Sequence, residues 1–256
     1  MSRHVPASRL LSGKVHEADI VSTPFFSTPR GSARMSNANA RARTFDAFPD
    51  EGIPLESPLA WSFEHVGCPA PGTHSRVVMR ERLHDHLILR GGAIVLDEAV
   101  RAVLGLSLPA RPLELSQGDR ASLQWLSPDE WLAVLPQGDA FRVETALRSA
   151  LGDASVAFSD VSAGQTVIEL TGDDQALREL LMKSVVYDVH PRHFAVGKGV
   201  TTVLAKTSVI LRRPDERRWE LVVRRSFADY VYRWLLDAGE EFAIGVERDV
   251  TAGETT

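Results

Sequence analysis

The chain has 256 residues, 44% of them hydrophobic and 25% charged, with a net charge of −5. These values suit a globular protein of one large or two small domains, without whole-chain attraction to nucleic acid or an anionic membrane. The single cysteine, Cys68, excludes an intrachain disulfide and any cysteine-based zinc or iron–sulfur cage. No apolar run approaches the roughly 20 residues of a membrane helix, and the start has Arg3 and Arg9 but no apolar signal segment. A reduced, cytoplasmic protein is expected.

Residues 1–80 scatter their apolar side chains among Ser, Arg, Pro, Asn and Ala, with neither a helical nor a strand period. Such a composition buries too little surface to offset chain entropy, so a disordered extension is expected there. Within it, Leu55–Val66, with Trp61 and Phe63, is expected to clip onto the body as an extended arm. The body is expected to cover 83–246, followed by a flexible tail at 247–256.

From His86 the pattern changes. Leu87–Arg90 predicts a strand, and Val95, Ala99, Val100, Val103 and Leu104 predict a helix stopped by Gly105. Strands follow at about Leu113–Leu115, Ala121–Leu126 and Glu130–Leu135, then a helix over Asp139–Leu151 and a strand over Ser155–Ser159. The second half starts with a strand at 165–171, where Thr166, Ile168 and Leu170 share one face. Thr171 and Asp174 have capping-box spacing, which starts a helix over 173–183. Strands near 200–205, 208–213 and 218–224 come next, then a helix over Ser226–Ala238 and a last strand within Glu241–Val246. Both halves read β-α-β-β-β-α-β, and each has a turn leading into a tryptophan strand, at Trp131 and Trp219. The fold class expected is α+β with duplicated halves.

The candidate chemistry is thin. Asp160-Val161-Ser162-Ala163-Gly164 is one residue from a Gly-x-Ser-x-Gly nucleophile elbow, but a strand follows it where the elbow needs a helix. It reads as a turn. His190 and His193, with Asp188 nearby, and His84 and His86, beside Asp85, lack the third ligand of a catalytic zinc site. Val196–Thr202 places Lys198 before Gly199 and a strand, which is not a phosphate loop, and no dinucleotide fingerprint occurs. No catalytic, cofactor-binding or metal residue is expected on this chain.

The 226–238 helix carries the most structured signal. Phe227, Val231, Trp234, Leu235 and Ala238 form an apolar stripe expected to face the core, beside a polar edge of Asp229, Arg233 and Asp237. Arg224, Arg225, Asp229, Tyr230 and Tyr232 flank it and form the expected partner interface, since tyrosine and arginine are enriched at such surfaces.

Several stretches, in order, carry a family resemblance. They are Leu89-Arg90-Gly91, Leu104–Pro109, Ser127–Leu132, Asp160-Val161-Ser162, Gln165–Leu170, Asp188–Pro191, Thr202–Lys206 and Val222–Tyr230. Over about 83–246 the chain resembles the gamma subunit of heterotetrameric sarcosine oxidase. The resemblance implies a non-catalytic, assembly-stabilising subunit of an enzyme that oxidatively demethylates sarcosine. It implies alpha, beta and delta partner subunits, with FAD, FMN, NAD, tetrahydrofolate and zinc on those partners and none on this chain. It also implies a fold similar to the folate-binding domain of aminomethyltransferases. The hairpin Leu204–Arg212 departs from the folate-dependent relatives, having neither their glycine-rich turn nor their catalytic aspartate. A general base or a partner for a developing cation needs an acceptor there. A position commonly cysteine in the family, between Leu181 and Asp188, is not cysteine here. The rival readings are a folate-dependent one-carbon enzyme and a free-standing small-molecule binder.

Overall fold

A computed structural model describes residues 56–248. In chain order the elements are α1 (Ala60–His65), β1 (Val77–Arg82), β2 (His84–Gly91), α2 (Ala93–Leu104), β3 (Leu115–Gln117), β4 (Ser122–Ser127), β5 (Glu130–Pro136), α3 (Ala140–Leu151) and β6 (Val156–Asp160). Then come β7 (Gln165–Gly172), α4 (Asp174–Ser184), β8 (Lys198–Leu204), β9 (Thr207–Asp215), β10 (Arg218–Arg224), α5 (Ala228–Ala238) and β11 (Gly245–Glu247). Short 3-10 turns lie at Ser162–Gly164, Arg225–Phe227 and Glu240–Phe242.

The strands form two sheets, ordered β3-β4-β5-β2-β6 and β11-β1-β7-β10-β9-β8. Strand alternation decides what each face meets. On β5, Trp131, Ala133 and Leu135 join Leu96 and Val100 of α2 and Val143 and Leu147 of α3. The residues between them, Leu132 and Val134, meet Val167 and Val222 of the second sheet. That sheet's other face, with Ile168, Leu170, Leu211, Trp219 and Leu221, packs on Leu177 and Leu180 of α4 and Val231 and Leu235 of α5. The result is an α-β-β-α stack with two helix-backed cores and a thinner layer between the sheets. Along one side the sheets are joined: Gly199 N donates to Leu113 O and Leu115 N to Gly197 O, both at 2.9 Å. This partly covers the edge strands β3 and β8, whose free backbone groups would otherwise invite another strand.

The α+β class and the β-α-β-β-β-α-β element order are present in both sheets. Several expectations need correction. The body begins before residue 83, because α1 and β1 fall in the stretch expected to be an extension. β1 pairs antiparallel with β7 and parallel with β11, separating two strands whose counterparts in the first sheet, β2 and β6, are adjacent. Leu55–Val66 was expected as an extended arm; its residues 60–65 are helical and Leu59 is buried. Residues 1–55 and 249–256, which include most of the expected extension and tail, lie outside the described residues.

The boundaries shift for local reasons. At α4 the cap is Asp173, whose carboxylate accepts from Ala176 N at 2.9 Å, so the Thr171–Asp174 box is not the cap. Leu113 has φ 67°, which delays β3 until Leu115. Phe242 is buried within a 3-10 turn, and the last strand therefore shortens to Gly245–Glu247.

Candidate functional site

Several of the residues with nucleophile, metal or phosphate potential are engaged in structural roles. Ser162 N and Oγ donate to Asp160 Oδ1, while Ser162 Oγ accepts from His86 N at 2.9 Å. The turn is thereby fastened to β2, and the hydroxyl is held inside it. Asp85 accepts from Ala140 N at 2.7 Å, at the start of α3. His193 Nε2 stands 3.7 Å from Asp188 Oδ2, and His190 N donates to Asp188 Oδ1. Among the described residues no group of three or more His, Cys, Asp or Glu side chains is arranged to hold a metal. Lys198 Nζ donates to Tyr187 Oη at 2.7 Å and His193 O at 2.6 Å, and stands over the Tyr187 ring. In the β8–β9 hairpin the turn residues are Ala205, at φ 48°, and Lys206. Neither supplies the carboxylate of folate-dependent chemistry.

The layer between the sheets is polar at one end. Glu169 on β7 faces Arg80 and Arg82 of β1, at 3.7 and 3.2 Å, and Arg218 of β10 at 4.0 Å. Arg212 on β9 is buried, with Nη1 3.5 Å from Glu220 Oε2 and Nη2 donating to Ser122 Oγ across the sheets. Gln124 Nε2 donates to Gly199 O at 3.1 Å. His86 is buried nearby with no protein partner on either ring nitrogen. Desolvation by burial drives its pKa down to about 3, with help from His84 and Arg212, so the ring is neutral near pH 7. These groups are enclosed by strands, and they give the interior its polarity.

The expected interface residues separate. Arg224 and Arg225 are exposed where β10 passes into the 3-10 turn. Arg225 Nη2 donates to Glu56 O at 2.9 Å. Asp229 is half-exposed, accepting from Ser62 Oγ at 2.7 Å and from Arg233 Nε at 2.9 Å. Tyr230 is half-buried against the second core. Tyr232 is fully buried and leaves the interface set: its hydroxyl donates to Gly67 O at 2.6 Å, and burial pushes its pKa up to about 12. Phe227 departs in the opposite direction. Expected in the core, it is 43% exposed because the 3-10 turn rotates it off the α5 stripe; Val231 and Leu235 keep their core positions, and Trp234 is half-buried.

A strap of residues 56–68 lies over α5 and completes this region. Leu59 enters the core, Phe63 meets Tyr232 edge-on at 5.5 Å, and Arg248 Nη2 donates to Phe63 O at 2.8 Å. Ser57 Oγ donates to the buried Glu81, which also accepts from Thr166 Oγ1 at 2.8 Å. Burial raises the Glu81 pKa, against these hydrogen bonds. Between the strap, the Ser162–Gly164 turn and the Arg225–Phe227 turn lies a groove of about 570 Å³, lined by Ser57, Trp61, Gly164, Arg224, Arg225 and Ser226 among others. Trp61 is 55% exposed, its ring stacked on His65 at 4.5 Å and beneath the Arg233 guanidinium at 5.3 Å. From the sequence the strap is expected only to clip onto the body. Ser57-Pro58 before Leu59-Ala60 is the signal that marks a helix start there.

The comparisons with known proteins agree with one another. The profile of the "Sarcosine oxidase, gamma subunit family" matches residues 91–241. A sarcosine oxidase subunit gamma from Corynebacterium sp. (strain P-1) is 39% identical over 154 residues, covering 60% of this chain and 72% of the relative. One from Arthrobacter sp. is 38% identical over 146 residues, covering 57% and 70%. Among solved structures, a chain of the heterotetrameric sarcosine oxidase from Corynebacterium sp. U-96 superposes with a TM-score of 0.62 at 34% identity, covering 74% of this chain and 96% of that one. An aminomethyltransferase of the glycine cleavage system from Bartonella henselae superposes at 0.52 with 13% identity, covering 76% and 59%, which shows a shared fold. On the extent of the family match and the identity to its members, the chain belongs to the sarcosine oxidase gamma subunit family.

Proposed function

We propose that this chain is the non-catalytic, assembly-stabilising subunit of a heterotetrameric sarcosine oxidase, a complex that oxidatively demethylates sarcosine. The observation that carries the reading is the likeness to a chain of the Corynebacterium complex, over 96% of that chain at 34% identity. The arrangement of polar groups supports it. Ser162, Asp85 and Lys198 are committed to internal hydrogen bonds, and the β8–β9 turn has Ala205-Lys206 where folate chemistry needs a carboxylate. FAD, FMN, NAD, tetrahydrofolate and zinc belong, on this reading, to the alpha, beta and delta subunits. The chain's own contribution is contact area, with Arg224, Arg225, Asp229 and Tyr230 at one contact.

The test is co-purification. Captured at native levels from its own cells, the full chain brings down flavin-bearing subunits in fixed stoichiometry. Recovery as a lone chain under gentle, low-salt conditions contradicts the proposal. On this reading the complex is cytoplasmic; no helix among the described residues is long and apolar enough to cross a membrane.

A further inference from the structure

The groove between the strap and the Arg225–Phe227 turn combines features that the family match does not explain. Its strap wall lies outside the matched residues 91–241. Arg224 is exposed with no ion pair among the described residues; Arg225 donates to a backbone carbonyl and its charge is felt by the buried Glu81, without an ion pair to it among the described residues. Among the described residues lining the groove Glu56 is the one acidic side chain, and its backbone oxygen accepts from Arg225. The wall opposite is an indole held in place by contacts with the His65 ring and the Arg233 guanidinium, with 55% of Trp61 still exposed. At the floor, a Cβ built on Gly164 meets nothing within 4 Å, so there is room beside the backbone there.

We infer that this groove takes an extended, acidic segment of a partner subunit, with a carboxylate held by Arg224 and Arg225 and an apolar side chain laid on Trp61. The inference rests on the assembly reading above and specifies the chemistry of one contact. Charge complementarity selects the occupant: the Arg224 guanidinium has no ion-pair partner among the described residues, Arg225 beside it uses one nitrogen on a backbone carbonyl, and such planar forks suit a carboxylate, while both arginine and tryptophan are enriched among residues that dominate interfaces. The rim is solvent-exposed and supplies few convergent polar groups, whereas a small-molecule site surrounds most of its ligand. Trp61 gives the strap a role beyond covering α5, because without it the groove has no aromatic wall.

The experiment uses the full chain and its partner subunits, purified separately and combined. Arg224→Glu reverses the charge at an exposed side chain, and Gly164→Leu fills the groove in open space. Each is expected to weaken capture of the partner subunits roughly tenfold or more, with melting temperatures near that of the parent. Arg224→Lys keeps the charge and is expected to retain most of the affinity. A photo-crosslinker at position 226 in the assembled complex is expected to label a partner peptide containing Asp or Glu. Unchanged capture by both the Glu and Leu variants, or a labelled peptide lacking carboxylates, overturns the inference and leaves the assembly reading standing. Failure of the parent chain to bind any sarcosine oxidase subunit removes that reading and the inference with it.

Discussion

The Tyr232 hydroxyl donates to the carbonyl of Gly67 at 2.6 Å, tying the middle of α5 to the end of the strap that crosses it. The bond is sheltered, since Tyr232 is fully buried and Phe63 of the strap packs against its ring. Sheltered hydrogen bonds contribute to stability chiefly because an orphaned buried partner is costly. α5 and the strap therefore hold each other in place.

Tyr232→Phe keeps the ring and removes the bond. It is expected to lower stability by about 1 kcal/mol, or about 2–4 °C in melting temperature for a body of this size. Limited chymotrypsin digestion is expected to cut faster after Trp61 and Phe63. Unchanged digestion and melting show that the strap is held without this bond.

His86 is a source of the pH dependence expected between pH 5 and 6.5, and His84, also lowered by burial, acts in the same direction. The folded pKa of His86, about 3, lies below the ordinary histidine value of 6.5, so the unfolded chain binds the extra proton in that range. Stability from the neutral ring is fully present above the unfolded pKa and is lost as pH falls towards 3. The expected slope approaches about 1.4 kcal/mol per pH unit once the unfolded ring is charged. Glu81 and Asp85, whose pKa values are raised by burial, contribute with the opposite sign from their ordinary carboxylate values upward. In urea titrations, His86→Leu is expected to flatten the profile from pH 6.5 to 5; an identical slope in parent and variant refutes the assignment.

The buried Arg212 depends on Glu220, 3.5 Å away, for its counter-charge. Glu220→Gln is expected to cost about 3 kcal/mol, because it leaves a desolvated cation without a carboxylate. Arg212→Met introduced together with Glu220→Gln is expected to recover much of that loss. Chemical denaturation of both variants decides the point: a double variant no more stable than Glu220→Gln alone means that the arginine is not charged at a cost.

Ala205 occupies a left-handed conformation, φ 48°, in the two-residue turn between β8 and β9. A Cβ is unfavourable there and glycine is not. Ala205→Gly is expected to raise stability by about 0.5–1 kcal/mol, after the added flexibility of the unfolded chain is set against the relieved strain. A lower melting temperature means that the Ala205 methyl packs well enough to outweigh the strain.

Helices α2–α5 and most strands were legible because their apolar spacing survives translation into burial: Leu177, Leu180 and Leu181 lie on the core face of α4, and Ile168 and Leu170 on that of β7. β1 was missed because Arg80, Glu81 and Arg82 disguise it. Arg80 and Arg82 face Glu169 between the sheets, and Glu81 is buried beneath the strap, so long-range charge partners fill positions where a strand pattern shows apolar residues. Tyr232 and Phe227 exchanged the expected roles for a similar reason. A 3-10 turn sets the phase of α5, and the strap that buries Tyr232 comes from some 170 residues earlier in the chain. Neither is visible in helical periodicity. Of the candidate interface, Arg224 and Arg225 were legible as exposed cations, whereas Trp61 required the fold to bring it beside them.

The central claim, that this chain supplies assembly and not chemistry, is tested most directly by turnover per bound flavin. The partner subunits are prepared with and without the full chain, and assembled enzyme is separated by size before assay with sarcosine. The account predicts that omission lowers the yield of assembled flavoprotein, while whatever assembles retains its turnover per flavin. It also predicts that the isolated chain is colourless and inactive. Stoichiometric flavin on the isolated chain, or intact assembly without it and a collapse in turnover per flavin, contradicts the claim.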